Sequence, residues 1–263
     1  MSENNFAHEY CDKLFPGYTW SFQETDPEFN ELFKNFAYDQ VVNMPLGQGQ
    51  EPLDDRTRFI AILAVLLGCQ GLYAFQSNLM AALNIGVTPI EVKEIVYQST
   101  AYLGIGRVLP FLKATNAILE SRGVSLPLEP QGTTTSETRL EAGAKAQVDI
   151  FGEGMRNFWN SDPEETRHIR YWLASNCFGD YYTRNGLDLK TRELITFCFL
   201  SALGGCEPQL TGHVVGNLMI GNSKALLIQV LSQCVPYIGY PRTLNALTCI
   251  QNGFDQFEKQ SKN

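Results

Sequence analysis

Positive charge and histidine are both scarce in this 263-residue sequence. Twenty Lys and Arg stand against 28 Asp and Glu, a formal net charge of -8, with a pI near 5.0. That balance argues against a nucleic-acid partner, because a phosphate backbone demands a positive surface, and weakly against an anionic membrane. It leaves small acidic substrates open, since one local arginine can hold a carboxylate on an acidic protein. Long apolar runs are missing too: the longest, residues 59–67, is far short of the roughly 20 residues a membrane span needs. The start, Met1-Ser2-Glu3-Asn4-Asn5, has no basic segment followed by an apolar one, so no secretory signal is expected. No two of the seven cysteines (Cys11, Cys69, Cys177, Cys198, Cys206, Cys234, Cys249) form a C-x-x-C pair. An odd, scattered set reads as free thiols in a reducing cytoplasm. The three histidines, His8, His168 and His213, lie far apart and pair with no clustered cysteines, which excludes a zinc-type motif. Glycine-rich Gly104-Ile105-Gly106 lacks the strand–turn–helix setting that nucleotide binding requires. No cofactor is expected. No stretch alternates with period two between turn signals, so no sheet is expected either.

What is present is a repeat. Leu53-Asp54-Asp55-Arg56-Thr57-Arg58 returns as Leu187-Asp188-Leu189-Lys190-Thr191-Arg192. A long apolar stretch follows each, then a second segment ending in glycine: Ile85-Gly86-Val87-Thr88 against Ile220-Gly221-Asn222-Ser223. Further on, Gln98, Tyr102, Gly104, Arg107 and Leu109 match Gln233, Tyr237, Gly239, Arg242 and Leu244 in register. Self-similarity of this kind marks a duplicated structural unit. Each unit reads as three helices. Asp54 stands at an N-cap, residues 59–67 are apolar all round as in a buried central helix, and Gly86 and Gly221 fall at C-caps. Pro127 to Ser136, rich in Pro, Gly and hydroxyl residues, is a loop. Two all-α domains result, over residues 1–126 and 137–263. Asp162-Pro163 and Asp26-Pro27 each read as a cap followed by a first-turn proline. Phe6, Trp20 and Trp172 are read as core, as are Cys177, Cys198, Cys234 and Cys249.

The copies are chemically unequal. In the second, a helix starting near Cys206 puts Cys206, Gln209 and His213 at i, i+3 and i+7 on one face. Glu207 falls about 100° around from Cys206. Cys206 at a helix N-terminus favours the thiolate. In the first copy Asn78 falls where His213 stands, Gly71 where Cys206 stands, and Phe59 where Glu193 stands. That copy keeps the architecture and loses the acid and base, which reads as a structural partner. Tyr102-Leu103-Gly104 and Tyr237-Ile238-Gly239 read as structural, the glycines serving close helix approach or a positive φ. Arg58 reads as a helix-junction ion pair.

The stretch from Phe178-Gly179-Asp180-Tyr181-Tyr182 through Arg192-Glu193-Leu194, with His213, Gly221 and Tyr237-Ile238-Gly239-Tyr240-Pro241-Arg242, resembles the carboxymuconolactone decarboxylase family. The likeness covers residues 142–255, and a degenerate copy covers about residues 33–120. It implies the all-α fold shared with alkylhydroperoxidase D proteins, which assemble as trimers or hexamers of single domains. A tandem chain is then expected to form a homo-oligomer, a dimer or trimer. Two activities come with the resemblance. The decarboxylases remove a carboxylate from a lactone ring, using polar residues around the matching histidine. The hydroperoxidases use a C-x-x-C pair with a histidine four residues after the second cysteine and an upstream glutamate. This sequence departs from both at Gln209, which stands where the hydroperoxidases have cysteine and the decarboxylases glutamate. An amide can orient His213 but cannot exchange a proton near neutral pH.

Three functions follow as expectations. The first is a cofactor-free lyase acting on a small carboxylated lactone or related acid. Arg192 or Arg242 would hold a carboxylate, and His213 would be the general acid, oriented by Gln209 or Glu207. The second is a thiol peroxidase at Cys206, with His213 and Glu193 lowering the thiol pKa. The third is a non-catalytic oligomeric binding protein that inherited the fold.

Overall fold

The computed structural model describes residues 5–20 and 22–260. Helices α1 (Asn5–Leu14) and α2 (Pro27–Asn35) lead in, α2 continuing as a π turn over Phe36–Gln40. The first repeat follows as α3 (Asp55–Gly68), α4 (Leu72–Asn84), α5 (Pro89–Leu103) and α6 (Ile105–Ser121). The second opens with α7 (Arg139–Phe151) and α8 (Arg167–Trp172), which runs into a π-helical segment, Leu173–Tyr182. Then come α9 (Leu189–Leu203), α10 (Glu207–Met219) and α11 (Lys224–Gln260). Among the described residues there is no strand, and no helix is long and apolar enough to cross a membrane.

The repeated sequence motif is a repeated cap. Asp54 accepts a hydrogen bond from the Thr57 N–H at 2.8 Å, and Asp188 accepts from the Thr191 N–H at 2.8 Å. Each satisfies one of the free donors of a helix start. Thr88 and Glu91 form a reciprocal capping box at α5. Pro27 occupies a first-turn position, as does Pro208. Pro163 does not: it precedes a turn, and α8 begins only at Arg167. The expected three helices per unit are four. Gly104 ends α5 at φ 77° and Gly239 interrupts α11 at φ 73°, a conformation that costs glycine little. Each glycine thereby turns the chain into a further helix.

The central helices α3 and α9 are buried along nearly their whole length, from Arg58 to Gly68 and from Arg192 to Ala202. They touch at Gly68, where a Cβ would lie 2.7 Å from both the Ala202 Cβ and the Phe199 carbonyl oxygen. Gly68 and Ala202 hold equivalent positions counted from Arg58 and Arg192. Equivalent residues meeting each other is the geometry of a local twofold axis. The contacts away from the axis are reciprocal in the same sense. Arg58 Nε donates to Gln233 Oε1 at 3.0 Å, and Arg192 Nη1 donates to Gln98 Oε1 at 2.9 Å. One apolar core runs through both repeats. Cys177, Cys198, Cys234 and Cys249 are buried in the interior and Trp20 packs against the core. Phe6 and Trp172 depart from the core reading: they are 42% and 56% exposed. Trp172 closes instead on the His168 ring, 4.9 Å between centroids.

Candidate active site

An open-mouthed cavity of about 600 Å³ lies between the repeats, on one side of the local twofold axis. The first repeat contributes Tyr102 from the end of α5. The second contributes Phe151 from α7, Phe178 from the π segment and Cys206, Gln209 and His213 from α10. The helical spacing of the last three thus becomes one wall. His213 Nδ1 lies 2.9 Å from Glu193 Oε2, with the histidine side chain 13% exposed and the glutamate fully buried. A carboxylate only accepts, so Nδ1 carries the shared proton and Nε2 is the nitrogen left for a ligand. The imidazole is clamped edge-on between Phe151, at 5.5 Å, and Tyr102, at 5.6 Å.

Behind this pair runs a closed network. Tyr182 Oη donates to Glu193 Oε1 at 2.8 Å. Tyr102 Oη and Thr196 Oγ1 lie 2.8 and 2.7 Å from the same Tyr182 oxygen. Gln98 Nε2 donates to Thr196 Oγ1 at 2.9 Å, which leaves the threonine proton for Tyr182. Burial pushes both tyrosines well above their ordinary pKa, and the neighbouring Glu193 charge adds to this. They therefore stay protonated, and every hydroxyl in the chain points its proton toward Glu193. Asn217 Nδ2 donates to the Glu193 carbonyl at 3.0 Å and fixes its backbone. The packing is tight: a Cβ at Gly216 would meet Phe151 Cε1 and sit 2.8 Å from Glu193 Oε2.

The other expected site residues lie elsewhere. Arg192 is fully buried beneath the network and does not line the cavity. Its Nη2 donates to Glu94 Oε2 at 3.0 Å and to the carbonyls of Arg184 and Asn185 at 2.8 and 3.1 Å. With Nη1 donating to Gln98 and the whole side chain buried, the guanidinium is turned away from any substrate in the cavity. Arg242 donates to the Ala202 carbonyl on the far side of Cys206 and is likewise off the cavity. Glu207 accepts from the Gly205 N–H at 3.3 Å and faces an open groove with Asn245 and Lys259. It does not line the His213 cavity. Cys206 is indeed the N-cap of α10. Its thiol is nevertheless pushed above the ordinary range, first by burial, then by Glu207 and Cys249, and Sγ rests 3.5 Å from the Leu200 carbonyl. Among the described residues no group of three or more His, Cys, Asp or Glu is placed to hold a metal.

Sequence reasoning missed Tyr102, Tyr182, Thr196 and Asn217. A signal existed for Tyr102, whose repeat partner Tyr237 occupies the mirrored place. Tyr237 Oη donates to Asn78 Oδ1 at 3.3 Å, as Tyr102 abuts His213. The first copy is shut: Phe59 and Asn78 are wholly buried, and the Phe33 ring packs on Tyr237 at 6.3 Å.

The model of the carboxymuconolactone decarboxylase family matches the chain twice, over residues 27–117 and 169–252. A 4-carboxymuconolactone decarboxylase of Acinetobacter baylyi is 25% identical over 119 residues, 45% of this chain and 88% of that protein. A crystallised chain from Burkholderia xenovorans, described as a gamma-carboxymuconolactone decarboxylase subunit, superposes with a TM-score of 0.54 at 20% identity, covering 97% of each chain. That last likeness is one of fold. With over half its length matched in two consecutive blocks, the chain belongs to the carboxymuconolactone decarboxylase family, as a tandem two-repeat member.

Proposed function

We propose that the protein is a cofactor-free carboxy-lyase acting on a small carboxylated lactone or related acid, with His213 as general acid. The observation that carries this reading is the His213–Glu193 hydrogen bond set in the wall of a largely apolar cavity. As imidazolium, His213 donates through Nδ1 to Glu193 and presents Nε2–H to the substrate carboxylate. The bond between ring carbon and carboxylate breaks, carbon dioxide leaves, and the electron pair passes into the conjugated carbonyl. His213 then gives its Nε2 proton to the carbon and regains one from water. Glu193 supports the imidazolium as a buried counter-charge, oriented by Tyr182. Arg192 and Arg242 take no part, so the imidazolium and the Gln209 amide hold the carboxylate.

Thiol peroxidase chemistry at Cys206 is disfavoured by the raised thiol pKa, because the thiolate is the nucleophile. A purely binding role fits less well, since His213 opens onto a cavity rather than being sealed in core. The homo-oligomer belongs to the same proposal. Ile105 and Leu109 of α6 and Tyr240 and Leu244 of α11 are exposed at equivalent repeat positions, and sedimentation would report the assembly. The test of function is carbon dioxide release from a panel of carboxylated butenolides. Turnover that falls by about 10²-fold or more in His213→Ala supports the reading; turnover unchanged in that variant removes His213 from the mechanism.

A further inference from the structure

The lead-in helices hold a second cavity, of about 420 Å³. It lies between α1, the turn that follows it and α2, and it shares no lining residue with the His213 cavity. Its floor is made of the buried residues Cys11, Phe15 and Lys34. The exposed side chains of Asp12 and Tyr18 and the His8–Glu31 pair form its rim, with Trp20 half-buried between.

Lys34 stands apart from the other buried cations. Among the described residues Arg58, Lys93, Arg192 and Lys34 are buried. Arg58 is paired with Asp55, Arg192 with Glu94, and Lys93 donates to Asn116. Lys34 is 8% exposed, and among the described residues its ammonium has neither a hydrogen bond nor an ion pair. Its natural partner would be Glu31, three residues earlier on α2. That carboxylate is turned instead to His8 Nε2, at 3.1 Å, and to the Asn30 amide, at 3.3 Å. The Lys34 charge acts on the buried Cys11 thiol of the cavity floor, opposing the effect of burial there, which places the ammonium at the cavity's inner end. A cation this far from bulk water is costly unless an anion meets it.

The walls beside that ammonium are aromatic. Trp20 stands edge-on to Phe15 and Tyr18, with 5.2 and 5.4 Å between centroids. Rings so placed receive a flat apolar body, and the ammonium among them receives a carboxylate. Asp12 and Glu31 at the rim repel a second negative charge. We propose that this cavity is a second ligand site, separate from the His213 cleft, which takes a small aromatic monocarboxylate with its carboxylate on Lys34 and its ring along Trp20 and Tyr18. The proposal is independent of the lyase reading.

The experiment is isothermal titration calorimetry of the full chain with benzoate, its neutral isostere benzamide and the dianion terephthalate. Benzoate is expected to bind at least about tenfold tighter than either of the others, as for a charge-assisted hydrogen bond to an otherwise unpaired cation. Two variants separate this site from the His213 cavity: benzoate binding should be lost in Lys34→Met and kept in His213→Ala. Lysine acetylation of the unsubstituted protein, mapped by mass spectrometry with and without benzoate, locates the ligand even if Lys34→Met fails to fold. Lys34 should be protected, whereas Lys13, with a side chain 62% exposed, should not. Benzamide or terephthalate binding as tightly as benzoate, benzoate binding that survives Lys34→Met, an unprotected Lys34, or no binding of benzoate at millimolar concentration overturns the proposal.

Discussion

At the scale of single residues the candidate site is a His213–Glu193 pair held in place by hydrogen bonds and ring contacts from its neighbours. Glu193→Gln keeps the shape but leaves the imidazolium without its counter-charge; turnover is expected to fall by about 10- to 100-fold, read as kcat on the best panel substrate. Tyr182→Phe should act differently. It removes the donor to Glu193 and strands the Tyr102 and Thr196 hydroxyls, so a loss of about 1–3 kcal/mol in denaturant unfolding is expected. The buried acids also dictate a pH response. Cys177 is pushed up to about 12 by burial, while in the unfolded chain it ionises near the ordinary thiol range of about 8.5. The folded state then binds the extra proton, so stability is complete below the unfolded value and is lost as pH rises from there toward 12. Tyr102 and Tyr182, also raised, add the same sign at still higher pH. Melting temperature should fall steadily above about pH 9; a flat profile would show that these groups ionise equally in both states. His213 was legible because the repeat supplies its own control: the first copy has asparagine there. Glu193 was legible as Phe59 replaced, but not as the partner of His213, because twenty positions of chain and a glycine-rich turn lie between them. Arg192 was misread for the same reason. Sequence shows an arginine after a cap and cannot show that Glu94 and Gln98 of the other repeat enclose it.

At the scale of elements, the caps and one glycine contact hold the site in register. Asp188 starts α9, and four residues into that helix Glu193 must face α10. Asp188→Ala should cost about 1 kcal/mol of stability, with a smaller effect on activity. Gly216→Ala should do more. Its methyl would strike Phe151 and crowd Glu193, and overpacking of this kind costs about 1–3 kcal/mol; activity should fall along with stability. Equal stability in that variant would mean that α7 can retreat freely. Helix starts were legible because Asp, Thr and Pro act through their own local backbone. The break at Gly104 and Gly239 was noticed but not resolved, since the same glycine could serve close packing or a positive φ, and only the folded backbone separates the two. Pro163 failed as a helix start because a proline after aspartate suits a turn as well as a first helical position.

At the scale of the whole molecule, the degenerate repeat supports the candidate site of the other. Tyr102, Gln98 and Glu94 reach across the interface to His213, Thr196 and Arg192, separations near one hundred residues that no periodicity in the sequence encodes. Residues 137–263 expressed alone should therefore fail to form a stable domain. The face of α9 that packs on α3 and α5 would be laid open to water, and Arg192 would lose Glu94 and Gln98. Circular dichroism of that fragment, with and without residues 1–126 added in trans, would read this; a native-like melt of the fragment by itself would contradict it. The crossing at Gly68 and Ala202 has a further consequence. In a pair of identical chains the residue on the axis faces its own image, so any methyl placed there is placed twice. Two glycines would leave a gap, and two alanines would collide. A single chain carrying both copies escapes that rule, with bare backbone on one side and a methyl on the other. The same freedom lets one mirrored chamber be filled with Phe59 and Phe33 while the other stays open, which no exactly symmetric assembly of one repeat could do.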